Sequence, residues 1–86
     1  MNKKLYSTID NKYCEFKTKK EILNYLEGDF KFKYTYGFAY RNPTTHKVDI
    51  TKEEAINTIK EASFLDVTLL EDNIIHLNEF SLNDMY

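Results

Sequence analysis

From Phe30 to Arg41 the chain alternates ring and non-ring without a break: Phe30, Phe32, Tyr34, Tyr36, Phe38 and Tyr40 against Lys31, Lys33, Thr35, Gly37, Ala39 and Arg41. A period of two places every ring on one face of an extended strand. The 3.6-residue turn of a helix would scatter the same rings around its surface. Each ring can bury about 150–250 Å², so one such strand can furnish most of a small core. Asn42-Pro43-Thr44-Thr45 supplies turn chemistry after it, and His46–Ile50 reads as the returning strand of a hairpin.

Two helix starts flank this strand. Thr18-Lys19-Lys20-Glu21 opens an apolar pattern at Ile22, Leu23 and Leu26 that ends at Gly28, and Thr51-Lys52-Glu53-Glu54 opens another at Ala55, Ile56, Ile59 and Ala62. In each, the Thr hydroxyl can accept the Glu backbone N–H while the Glu carboxylate reaches back to the Thr amide. Helices are expected over residues 19–27 and 52–63, each with one apolar face. Thr18–Glu27 and Thr51–Lys60 carry Thr, Lys, Glu and Asn at matching offsets, which hints at an internal duplication. Leu5–Ile9 with Tyr13–Lys17, and Leu65–Leu70 with Ile74–Phe80, read as two further hairpins around Asp10-Asn11-Lys12 and Glu71-Asp72-Asn73. The order predicts an α+β fold: a mostly antiparallel twisted sheet of about five or six strands with two helices on one face. With 86 residues, the expectation is a single domain over 1–86.

Cys14 is alone, so no internal disulfide can form. Together with the lack of a signal-peptide pattern, this points to the cytoplasm. No apolar run is long enough for a membrane span. His46 and His76 are thirty residues apart, and neither shares ligand spacing with Cys14; a metal site is not expected. His46 is expected beside a turn, and His76, among Ile74, Ile75 and Leu77, half-buried or in an interface. The capping role accounts for Glu54, and two glycines provide no phosphate-cradling loop. No catalytic constellation or cofactor motif is found, so the expectation is a chain without enzyme activity and without a cofactor.

Charge is divided along the chain. Residues 1–43 hold nine Lys/Arg against five Asp/Glu, whereas residues 44–86 hold three against nine. From Glu61 onward Asp66, Glu71, Asp72, Glu79 and Asp84 follow without a single Lys or Arg. One-signed charge over that length favours a partner of opposite sign. Spaced carboxylates can pair with the Lys and Arg that normally meet phosphates. The candidate partner-binding residues are therefore Asp66, Glu71, Asp72, Glu79 and Asp84, with Tyr86 as an aromatic anchor at the end of the chain.

A second reading concerns the aromatic strand as a stacking platform flanked by Lys31, Lys33 and Arg41. Tyr36-Gly37-Phe38-Ala39-Tyr40 resembles the first ribonucleoprotein motif of RNA-recognition domains, and Lys4-Leu5-Tyr6 loosely resembles the start of the second. The resemblance implies that Tyr36, Phe38 and Tyr6 stack bases. It covers about a dozen residues, and Arg41-Asn42-Pro43 departs from the motif's continuation.

Eleven Lys to one Arg, eight Asn and the tail Ile75-His76-Leu77-Asn78-Glu79-Phe80-Ser81-Leu82-Asn83-Asp84-Met85-Tyr86 give the chain a style similar to small phage and mobile-element proteins of low-GC bacteria. That population includes anti-CRISPR inhibitors. The resemblance implies a non-catalytic inhibitor acting in the bacterial host cell, whose acidic face blocks a basic groove on a nucleic-acid-handling protein such as a CRISPR effector. A homodimer, with the basic half of one copy against the acidic half of another, is the third expectation.

Overall fold

The computed structural model describes residues 3–38, 48–71 and 73–81. Five strands, β1 (Lys3–Ser7), β2 (Lys31–Phe38), β3 (Val48–Ile50), β4 (Leu65–Leu70) and β5 (Ile74–Ser81), form one mixed sheet in the order β1-β4-β5-β2-β3. The helices are α1 (Lys19–Tyr25) and α2 (Lys52–Glu61), so the fold is α+β. All adjacent strands are antiparallel except β2 and β5, which pair in parallel from Lys31 opposite Ile74 to Phe38 opposite Ser81. It follows that β1 and β2 point the same way, and that β3 and β4 point the opposite way. The units β1-α1-β2 and β3-α2-β4 therefore interlock, with β5 inserted between their inner strands.

The registers settle which side chains share a face. Phe32, Tyr34 and Tyr36 lie beside Ile75, Leu77 and Glu79, which in turn lie beside Leu69, Val67 and Leu65. This is the side covered by the helices, because Ile22 and Leu26 of the α1 segment and Ala55, Ile59 and Ala62 of the α2 segment join Phe32, Leu65, Val67, Ile75 and Leu77 in one buried cluster. The opposite face carries Lys31, Lys33 and Thr35 on β2, Ile74, His76 and Asn78 on β5, Asp66, Thr68 and Leu70 on β4, and Asp49 on β3.

Strand β1 departs from strict alternation. Lys4 is opposite Thr68 and Tyr6 is opposite Val67, which leaves Leu5 as an extra residue. This bulge turns Lys4 to one face and Tyr6 to the other, and both Leu5 and Tyr6 enter the core. The expected partner strand over Tyr13–Lys17 does not form. The Ser7 hydroxyl accepts from the amides of Ile9 and Asp10, Asn11–Tyr13 makes a short 3₁₀ turn, and only Glu15 and Phe16 bond back to β1, through the Lys4 and Leu5 carbonyls. Local side-chain bonds of this kind compete with a ladder, and here they replace the hairpin while still covering part of the β1 edge.

Both helices start at their Thr caps. Thr51 makes the complete box, accepting from Glu54 N–H while the Glu54 carboxylate accepts from the Thr51 amide. Thr18 accepts from Glu21 N–H but donates its own hydroxyl to the Glu21 carboxylate, so this box is half made. The lysine after each Thr has a second role. Lys19 Nζ donates to the carbonyls of Lys60 and Ala62 at the end of α2, at 3.1 and 3.3 Å, and Lys52 Nζ donates to the Glu27 carbonyl just past α1, at 3.0 Å. The helices thus lie antiparallel, each placing a cation on the other's negative end; such placements are worth about 0.3–1 kcal/mol. Past α1, Gly28 has no Cβ where the ring of Phe30 approaches to within 2.9 Å of that position, and Phe30 stacks on Tyr25, which meets Phe16.

Candidate partner-binding site

The carboxylates of the acidic half do not share one surface. Asp66 lies on the face away from the helices, half-buried; one oxygen accepts from Ser7 Oγ and the other is 3.7 Å from Lys4 Nζ. Its charge is occupied within the fold, where it holds β1 to β4. Glu79, opposite Leu65 in the pair next to Asp66 and Asn78, projects to the helix side. Glu71 is exposed in the turn between β4 and β5 and adopts a φ of 55°, a conformation unusual for a residue with a side chain. Asp72, Asp84 and Tyr86 lie outside the described residues.

The stacking residues separate in the same way. Tyr6 is in the core with 7% of its surface exposed, because the bulge turns it there, and its phenol is pushed up by that burial. Tyr36 is 46% exposed on the helix side of β2, whereas Lys31 and Lys33 point to the other face. Lys33 Nζ is held 2.7 Å from Asp49, and this bond holds the Asp49 carboxyl below its usual range. Together with Lys31, Ile50 and Ile74 they line a shallow cleft of about 470 Å³. Phe38 belongs to β2, and Arg41 and His46 lie outside the described residues.

What the fold does bring together is one residue from each reading. The parallel register sets Tyr36 directly beside Glu79, and Tyr34, two residues back along β2 on the same face, donates its hydroxyl to Glu79 Oε1 at 2.8 Å. Burial, and then this bond to a carboxylate, push the Tyr34 phenol far above its ordinary value. Val48, opposite Tyr34 on β3, is 51% exposed. The result is a corner where the helix-covered face emerges from under the helices: two tyrosines, a carboxylate oriented by one of them, and an apolar rim. Sequence reading missed Tyr34 and Val48 as members. The alternation placed Tyr34 and Tyr36 on one face, but nothing local to β2 or β5 announces that these strands pair in parallel.

On the far face, Ser7, Asp66, Asn78 and Thr35 lie across four strands in register, and the next row includes His76, whose Nε2 is 2.7 Å from the Thr35 hydroxyl. Ser7 and Thr35 are buried, and Asn78 Oδ1 is enclosed with no hydrogen-bond partner among the described residues. Cys14 donates to the Asp10 carbonyl, and burial raises its thiol above the ordinary value, away from the thiolate a nucleophile needs. Among the described residues, no helix is long and apolar enough to cross a membrane.

Compared with protein-family models, curated proteins and solved structures, the chain matches none of them.

Proposed function

We propose that this chain is a non-catalytic binding protein that engages a basic, nucleic-acid-handling partner through carboxylates and blocks the partner's nucleic-acid groove, in the manner of anti-CRISPR inhibitors. The observation that carries the reading is how the fold distributes its charges. Lys3 is 2.6 Å from Glu15, Lys4 and Lys33 face Asp66 and Asp49, and Lys19 and Lys52 are bonded to helix-end carbonyls. Lys3, Lys4, Lys19 and Lys33 of the basic half are thereby engaged inside the molecule. Glu53, Glu61 and Glu71 are exposed and have no ion pair among the described residues. Their charge is available to a partner, and it acts mainly on association rate and salt dependence.

The test compares wild type with a Glu53→Gln/Glu61→Gln/Glu71→Gln variant as bait in bacterial lysate, after circular dichroism confirms that both fold. The expected result is capture by wild type of a protein whose nucleic-acid binding is then competed off, with weak capture by the variant. Equal capture by both baits, or a captured protein that still holds its nucleic acid, would sink the proposal. Direct binding of labelled single-stranded RNA or DNA to the chain would favour the base-stacking reading instead, which retains the exposed ring of Tyr36 but has Tyr6 in the core.

A further inference from the structure

The corner formed by Tyr34, Tyr36, Glu79 and Val48 combines features that belong to different chemistries when read along the sequence. A carboxylate alone attracts any cation, and a tyrosine alone accepts many flat groups. Side by side they select a planar cation. Glu79 is fixed by the Tyr34 hydroxyl on Oε1, and no hydrogen bond to Oε2 is found among the described residues. Tyr36 stands next to Glu79 in register and exposes nearly half its surface, so its ring can lie against a group that meets the carboxylate. Val48 adds an apolar edge suited to an aliphatic stem.

We propose that this corner receives an arginine side chain of the basic partner, with the guanidinium paired to Glu79, stacked on Tyr36, and its methylenes against Val48. This deepens, and rests on, the reading of the chain as a binder of a basic protein. Arginine fits better than lysine because its planar fork can meet a carboxylate edge while its face covers a ring. A lysine ammonium is more strongly hydrated and has no face to stack. The acid surplus of residues 44–86, nine Asp/Glu against three Lys/Arg, gives the long-range attraction. The corner supplies the short-range choice of side chain.

The test uses a small probe, so that it does not depend on finding the partner. N-acetyl-arginine amide is titrated into the labelled full chain and followed by backbone amide shifts, with N-acetyl-citrulline amide as the uncharged isostere. Saturable shifts centred on Tyr36, Val48 and Glu79 are expected with the arginine probe and not with citrulline. Glu79→Gln keeps an acceptor for the Tyr34 hydroxyl but removes the charge, and is expected to weaken the probe about tenfold. Tyr36→Ala, at an exposed position, is expected to weaken it about threefold. Shifts spread evenly over Glu53, Glu61 and Glu71, unchanged binding in Glu79→Gln, or equal response to citrulline would each overturn the assignment. Loss of the corner with lysate capture intact would leave the broader charge-based function standing; loss of capture with the probe site intact would remove the function and keep the site.

Discussion

The two faces of the sheet use the same strands and the same period of two, yet they are specified by different physics. On the helix side, Phe32, Ile75, Leu77, Val67 and Leu65 are buried with the apolar residues of α1 and α2. Non-directional burial organises this face, and many neighbours share the load. On the other side, Ser7, Asp66, Asn78 and Thr35 form a polar row in which individual hydrogen bonds matter. Polar groups in such a row are favourable only when satisfied, and among the described residues Asn78 Oδ1 is an exception. The covered face carries the fold, and it emerges at Tyr36, which is 46% exposed beside Glu79.

This contrast can be broken first in the core. Leu77→Ala removes a fully buried side chain at the centre of the covered face and is expected to cost about 2–5 kcal/mol in urea unfolding. A loss under about 1 kcal/mol would mean that this face is not the core.

A smaller effect is expected on the polar face. Ser7→Ala leaves the amides of Ile9 and Asp10 and the Asp66 carboxylate without their shared partner, for a cost of about 1–3 kcal/mol. If the mutant matched wild type in stability, the row would be a surface feature and the contrast between faces would fail.

The smallest effect belongs to the boundary. Tyr34→Phe deletes the hydroxyl that holds Glu79 and is expected to cost up to about 1 kcal/mol at neutral pH. The folded phenol is raised above its ordinary value of 10.0, so the folded state holds this proton more tightly than the unfolded chain. Its contribution is fully present below about pH 10 and is lost as pH rises through the folded value. Wild type should therefore lose more stability than Tyr34→Phe in an unfolding series carried above pH 10. An identical alkaline decline in both would indicate that Tyr34 does not carry this proton linkage.

Much of the fold was legible locally, because local rules govern those parts. The helix starts at Thr18 and Thr51 follow from side-chain reach to the first amides, and the alternation of β2 follows from backbone pleat. The hairpin of β4 and β5 was marked by its turn residues. The first hairpin was misread, because Ser7 and the 3₁₀ turn at Asn11–Tyr13 hold the chain with short-range bonds where strand patterning alone suggested pairing.

The candidate site was less legible. The acidic run named Glu79 and Asp66 together, but their registers put them on opposite faces, one tied to Tyr34 and the other to Ser7 and Lys4. The stacking set named Tyr6 and Tyr36 together, but a one-residue bulge at Leu5 sends Tyr6 into the core.

By itself the sequence determined the secondary-structure class, the helix caps, the face shared by the rings of β2 and the uneven distribution of charge, all of which depend on residues close together in the chain. Only the tertiary structure decided which charges neutralise one another and which rings stay exposed. Those outcomes depend on strand order, on the parallel pairing of β2 with β5 across 43 positions of chain from Lys31 to Ile74, and on one bulge. No spacing within a single element encodes them.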